Sequence, residues 1–105
     1  MAFRVYEESL VMVRLAYRAA AVMEAKDPDL ARQLRRSASS VPLNVGEGNY
    51  SRKGNRALRF HSALGSANEA RCTVEVGQAV GLLGAQAELL GRLDHIVAML
   101  WKLTR

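Results

Sequence analysis

Phe3, Tyr6, Leu10, Val13, Tyr17 and Ala20 fall alternately three and four residues apart, the spacing that gathers apolar groups into one stripe along an α-helix. The same rhythm returns in Leu30, Leu34, Ala38, Val41 and Val45, then in Phe60, Ala63, Ala67, Ala70, Val74 and Gly77. It closes with Leu89, Leu93, Ile96, Leu100 and Leu103. A stripe of this kind is stable only against another, and the connections between the stripes are short. The pattern therefore predicts an all-α, up-down-up-down four-helix bundle. With 105 residues there is room for one domain, 1–105, and one modest core.

Local signals set the helix ends. Asp27 can accept from the free amides at the start of the second helix, while Pro28 occupies its first position, where a missing N–H is harmless. Pro42 should kink or divide that helix, with Ser39 or Ser40 satisfying the freed groups, and Gly46 and Gly48 should end it. The third helix is expected from about Ser51–Asn55 to about Gly81, with a small-sided seam that lets a neighbour approach closely. "GLLGA" then turns the chain into the fourth. Beside the first helix's seam lies a second apolar flank of Val5, Met12, Leu15, Ala19 and Val22. One core should not cover both, so Met12 and Leu15 are expected at a homo-oligomer interface.

The segment "SSVPLNVGEGNYSRKGN" is rich in glycine and cations, as phosphate-cradling loops are, but it does not have their details. No Lys-Ser or Lys-Thr follows the glycines, Ser51 stands where a dinucleotide fingerprint needs its third glycine, and the flanks read as helix. The glycines are better read as punctuation. His61 and His95 have no spaced partners for a metal, and Cys72 is the only cysteine, so neither an intrachain disulfide nor a cysteine cluster can form. No nucleophile elbow surrounds the serines of "RRSASS". Asn44, Glu47, Ser66, Asn68 and Glu69 are expected to form a structural polar network between the second and third helices. Enzyme chemistry and cofactors are not expected.

Charge carries the functional signal. Fifteen Lys and Arg against ten acids give a formal +5, and Arg32, Arg35, Arg36, Arg52, Lys53, Arg56 and Arg59 collect in the middle of the chain. Arg32, Arg35 and Arg36 share one side of the second helix, and Arg52, Arg56 and Arg59 one side of the third. The predominance of arginine favours phosphate. The expected function is a cytoplasmic nucleic-acid-binding scaffold, with structured RNA preferred. The alternative is an adaptor whose basic surface docks an acidic, polymerase-like protein. No apolar run is long enough for a membrane span.

Three stretches add a resemblance: Arg-Arg-Ser ahead of "SVPLNVGEG", the block "RFHSALGSANE", and the late "MLWKL" with Trp101. Together they resemble the four-helix-bundle proteins encoded within intervening sequences of large-subunit ribosomal RNA genes, over nearly the whole chain. That family implies a homopentameric ring. It is similar in turn to the accessory variability proteins of diversity-generating retroelements, which are basic and bind nucleic acid and a reverse transcriptase, so a reverse transcriptase is an implied partner.

Overall fold

The computed structural model describes residues 3–105, apart from the side chain of Lys53. Four helices follow one another: α1 Phe3–Met23, α2 Pro28–Asn49, α3 Lys53–Ala79 and α4 Ala87–Thr104. Each packs against its neighbours in the chain and α4 returns to α1, so the four close around one core in a body of 43 × 22 × 18 Å. The all-α bundle expected from the spacing is the observed fold.

The start of α2 follows its sequence signals. The Leu30 amide donates to Asp27 Oδ1 at 3.0 Å, and Pro28 takes the first turn. At the far end of α3 the chain closes on Gly81, whose φ is +80°. The Leu82 amide donates back to the Gly77 carbonyl (2.8 Å) and the Gly81 amide to Gln78 (3.1 Å), the paired bonds of a Schellman turn, which a left-handed glycine permits. Leu83 then tucks into the core.

Three expectations need correction. The buried face of α1 is Val5, Ser9, Met12, Ala16, Ala19, Ala20 and Met23, while Phe3 (58% exposed), Leu10 and Tyr17 of the expected seam look outward. The flank read as an oligomer surface therefore belongs in large part to the core. Met12 is fully buried there and Leu15 half-buried. Small side chains make up much of that buried face, Ser9, Ala16, Ala19 and Ala20, and side chains of that size suit a close-packed interior. Second, α2 is not divided at Pro42 but runs on to Asn49, with the proline ring buried. Ser39 and Ser40 turn to Tyr17 and Ser66 instead of serving the freed backbone. Third, Gly46 and Gly48 lie inside the last turns of α2, not past its end. A Cβ on Gly48 would sit 2.6 Å from Phe60 Cε1, so this glycine serves the close approach of α3. At the end of α4, Leu103 is exposed, whereas Leu89, Leu93, Ile96 and Leu100 form its buried stripe.

Polar ties fasten the bundle from outside. Arg92 donates to both Glu8 oxygens, at 2.7 and 3.3 Å, joining α4 to α1. Arg71 Nε lies 3.0 Å from Asp94 Oδ1 between α3 and α4, though its N–H is not aimed along that line. Among the described residues, no helix is long and apolar enough to cross a membrane.

Candidate nucleic-acid interface

The α2–α3 contact decides the geometry of the basic region. The two helices run antiparallel, with Gly48 against Phe60 at one level and Ser66 Oγ 2.8 Å from Ser40 Oγ at another. Asn44 Nδ2 donates to both the Ser40 carbonyl and its hydroxyl, each at 2.9 Å. Ser40 is thus the hub of the polar network expected here, a role hidden in the sequence because a serine two residues before Pro42 fits the backbone groups that a proline frees equally well. Ser66 and Asn44 belong to the network. Asn68, Glu47 and Glu69 are exposed and their side chains make no hydrogen bond among the described residues, so the network is smaller than expected.

Above Ser40 the two helices leave an open groove of about 700 Å³. Its polar floor is Ser40, Asn44 and Ser66, and its walls carry Arg36 and Glu47 from α2 and Arg59 and Glu69 from α3. The register sets them in order. Arg36 precedes Ser40 by one turn and Glu69 follows Ser66 by one, so they share one end. Glu47 and Arg59 share the other, roughly 15 Å away at about 1.5 Å per residue. Each end therefore holds one cation and one carboxylate on opposite walls, and no pair of them comes within 4 Å.

The seven predicted contact residues divide by what they touch. Arg32 pairs with Asp29 at 2.6 Å. Arg35 pairs with Glu24 at 2.5 Å and lies 5.9 Å from the centre of the Tyr17 ring. Arg56 covers the Phe60 ring at 4.7 Å and donates to the Gly48 carbonyl at 3.4 Å. These three have intramolecular work, and Arg56 in particular covers the α2–α3 junction. Arg36, Arg52 and Arg59 are exposed and form no ion pair among the described residues. Arg52 stands at the N-cap of α3, beyond the Arg59 end of the groove, and that helix start has no side-chain cap. The side chain of Lys53 lies outside the described residues.

Acid–base partners are not assembled. Glu47 and Glu69 lie in one groove but at its opposite ends, His61 is exposed and not among the residues lining it, and His95 lies at the other side of the molecule, 3.9 Å from Glu8. Among the described residues, no group of three or more His, Cys, Asp or Glu could hold a metal ion.

The family model described as 23S rRNA-intervening sequence protein matches residues 1–102. The chain belongs to that family. A crystal structure of a protein of unknown function from the S23 ribosomal protein family of Bacteroides thetaiotaomicron superposes with a TM-score of 0.88, covering 96% of this chain and 98% of that one. At 16% identity this likeness shows a shared fold. No curated protein is significantly similar to this chain.

Proposed function

We propose that this member of the 23S rRNA-intervening sequence protein family is a cytoplasmic, non-catalytic homo-oligomeric scaffold that binds structured RNA. The observation that carries the reading is the set Arg36, Arg52 and Arg59, three exposed guanidinium groups on α2, at the N-cap of α3 and on α3, with no carboxylate within ion-pair distance among the described residues. An arginine already paired, as Arg32 is with Asp29, must give up a partner before it can bind phosphate. These three need not. The net charge of +5 supports approach to a polyanion. Assembly as a ring would repeat the three arginines around it and turn weak contacts into avidity.

The test is a salt titration of binding to a hairpin RNA containing an unpaired loop, comparing the parent with Arg36→Ala, Arg52→Ala and Arg59→Ala combined. Each lost phosphate contact should flatten the slope of log affinity against log salt by roughly 0.7–0.9, so by about two units or slightly more in total. Affinity should fall alike for unrelated RNA sequences, because phosphate contacts position without reading bases. An unchanged slope in a folded, correctly assembled variant would favour the other reading, an adaptor that docks an acidic polymerase or reverse-transcriptase-like protein.

A further inference from the structure

A groove built only to hold phosphate would not set an unpaired carboxylate across from each of its arginines, since a free acid repels the anion that the cation attracts. Here both ends do so: Arg36 with Glu69, and Glu47 with Arg59. Nor are these the acids of internal ion pairs, for Glu47 and Glu69 make neither a salt bridge nor a side-chain hydrogen bond among the described residues. Its volume, about 700 Å³, lies inside the ~300–1,000 Å³ range of small-ligand clefts. The occupant must offer, at each end, an anion for the guanidinium and a hydrogen-bond donor for the carboxylate. Between them it must meet hydroxyl and amide groups.

We infer that the α2–α3 groove takes an unpaired ribonucleotide stretch and selects it against DNA, with Arg36 and Arg59 on phosphates and Glu69 and Glu47 accepting from ribose 2′-hydroxyls. The inference rests on the RNA-binding reading above and adds the sugar to it. Every ribonucleotide carries a phosphate and a 2′-hydroxyl a few ångströms apart, and the 2′-hydroxyl is the group that lets a protein tell RNA from DNA at a given site. A deoxynucleotide brings the phosphate alone, so each glutamate is left facing an anion with nothing to accept. The roughly 15 Å between the two ends, at about 1.5 Å per residue, leaves space for the Ser40–Asn44–Ser66 floor to meet the intervening sugars or bases. Asn44 spends its amide hydrogens on Ser40 and so presents its carbonyl oxygen as an acceptor.

The experiment compares fluorescently labelled single-stranded RNA and DNA octamers of one mixed sequence, titrated by anisotropy with the parent and with Glu47→Gln, Glu69→Gln combined. The parent should bind RNA about tenfold more tightly than DNA, the scale of a hydrogen bond to a charged acceptor. The glutamine variant should bind DNA more tightly than the parent does, because an anion has gone and an amide donor has come. Its RNA preference should shrink, because a neutral amide oxygen accepts from a 2′-hydroxyl less strongly than a carboxylate does. Equal binding of RNA and DNA by the parent overturns the sugar selection and leaves the RNA-binding reading standing. A preference unaltered by the glutamines also overturns it, placing discrimination elsewhere. Failure of the parent to bind either octamer or the loop-containing hairpin overturns both. RNA binding that persists at full strength after Arg36→Ala and Arg59→Ala removes RNA from this groove and overturns the inference. Circular dichroism on each variant confirms that the bundle is intact, and both glutamates are exposed, so folding is not at stake.

Discussion

Gly48 and Gly65 both lie inside helices, yet the space around them is opposite. An added Cβ at Gly48 would meet Phe60 at 2.6 and 2.8 Å and Arg59 Cβ at 3.3 Å, and at Gly65 it would meet nothing within 4 Å. Phe60 is buried and covered by Arg56, so its ring has no exit. Gly48→Ala should therefore destabilise by about 1–3 kcal/mol through overpacking, and Phe60→Leu in the same chain should recover part of the loss. Gly65→Ala should stabilise by about 0.5–1 kcal/mol, since only helix propensity changes. Urea melts of the single variants and the double variant separate the two mechanisms. If Gly48→Ala were as mild as Gly65→Ala, close approach would not be the reason for this glycine. The same reading removes any need for nucleotide chemistry in the glycine-rich segment.

At the scale of elements, the ends of α2 and α3 rest on single residues. Asp27→Ala should cost about 1 kcal/mol by uncapping Leu30. Gly81→Ala should cost a similar amount, about 1 kcal/mol, by forcing a side chain into a left-handed backbone. Both are read as shifts in thermal midpoint, and both should leave the far-UV helical signal at low temperature unchanged. The cap at Asp27 was legible because its chemistry is local: one carboxylate, one proline and the amides beside them. The buried stripes of α2, α3 and most of α4 were legible for a related reason, since each helix has one apolar stripe set against polar flanks. In α1 two stripes compete, and size misleads. Phe3, Leu10 and Tyr17 are the more apolar in bulk, but Ser9, Ala16 and Ala20 are the residues on the buried face. Ser9 can be buried because its hydroxyl donates to the Tyr6 carbonyl at 2.6 Å. The groove was half legible. Its arginines and glutamates stood out as charges, but their facing across two helices depends on a register that Ser40 and Ser66 set together.

For the whole molecule, the outward stripe of α1 gives the proposed assembly a new address. Phe3, Leu10 and Tyr17 are exposed on α1, and Leu43 and Tyr50 on α2; Tyr6, Leu43, Gly46 and Tyr50 line one shallow hollow between the two helices. Leu10→Glu with Tyr50→Glu should reduce the oligomer to a folded monomer in light scattering. Met12→Glu, which puts a charge in the core, should instead abolish cooperative melting. Loss of assembly in a folded Met12→Glu protein, with none in the other variant, would reject this surface. The buried alanines carry a further consequence. Eight of the 21 buried apolar residues among those described are alanine, and alanine removes little hydrocarbon from water for each position it fills. Heat capacity change on unfolding scales with apolar area exposed, about 0.45 cal/mol/K per Å². Calorimetry of the monomeric variant should therefore give a heat capacity increment below the usual ~12–15 cal/mol/K per residue, and a broad, shallow dependence of its stability on temperature.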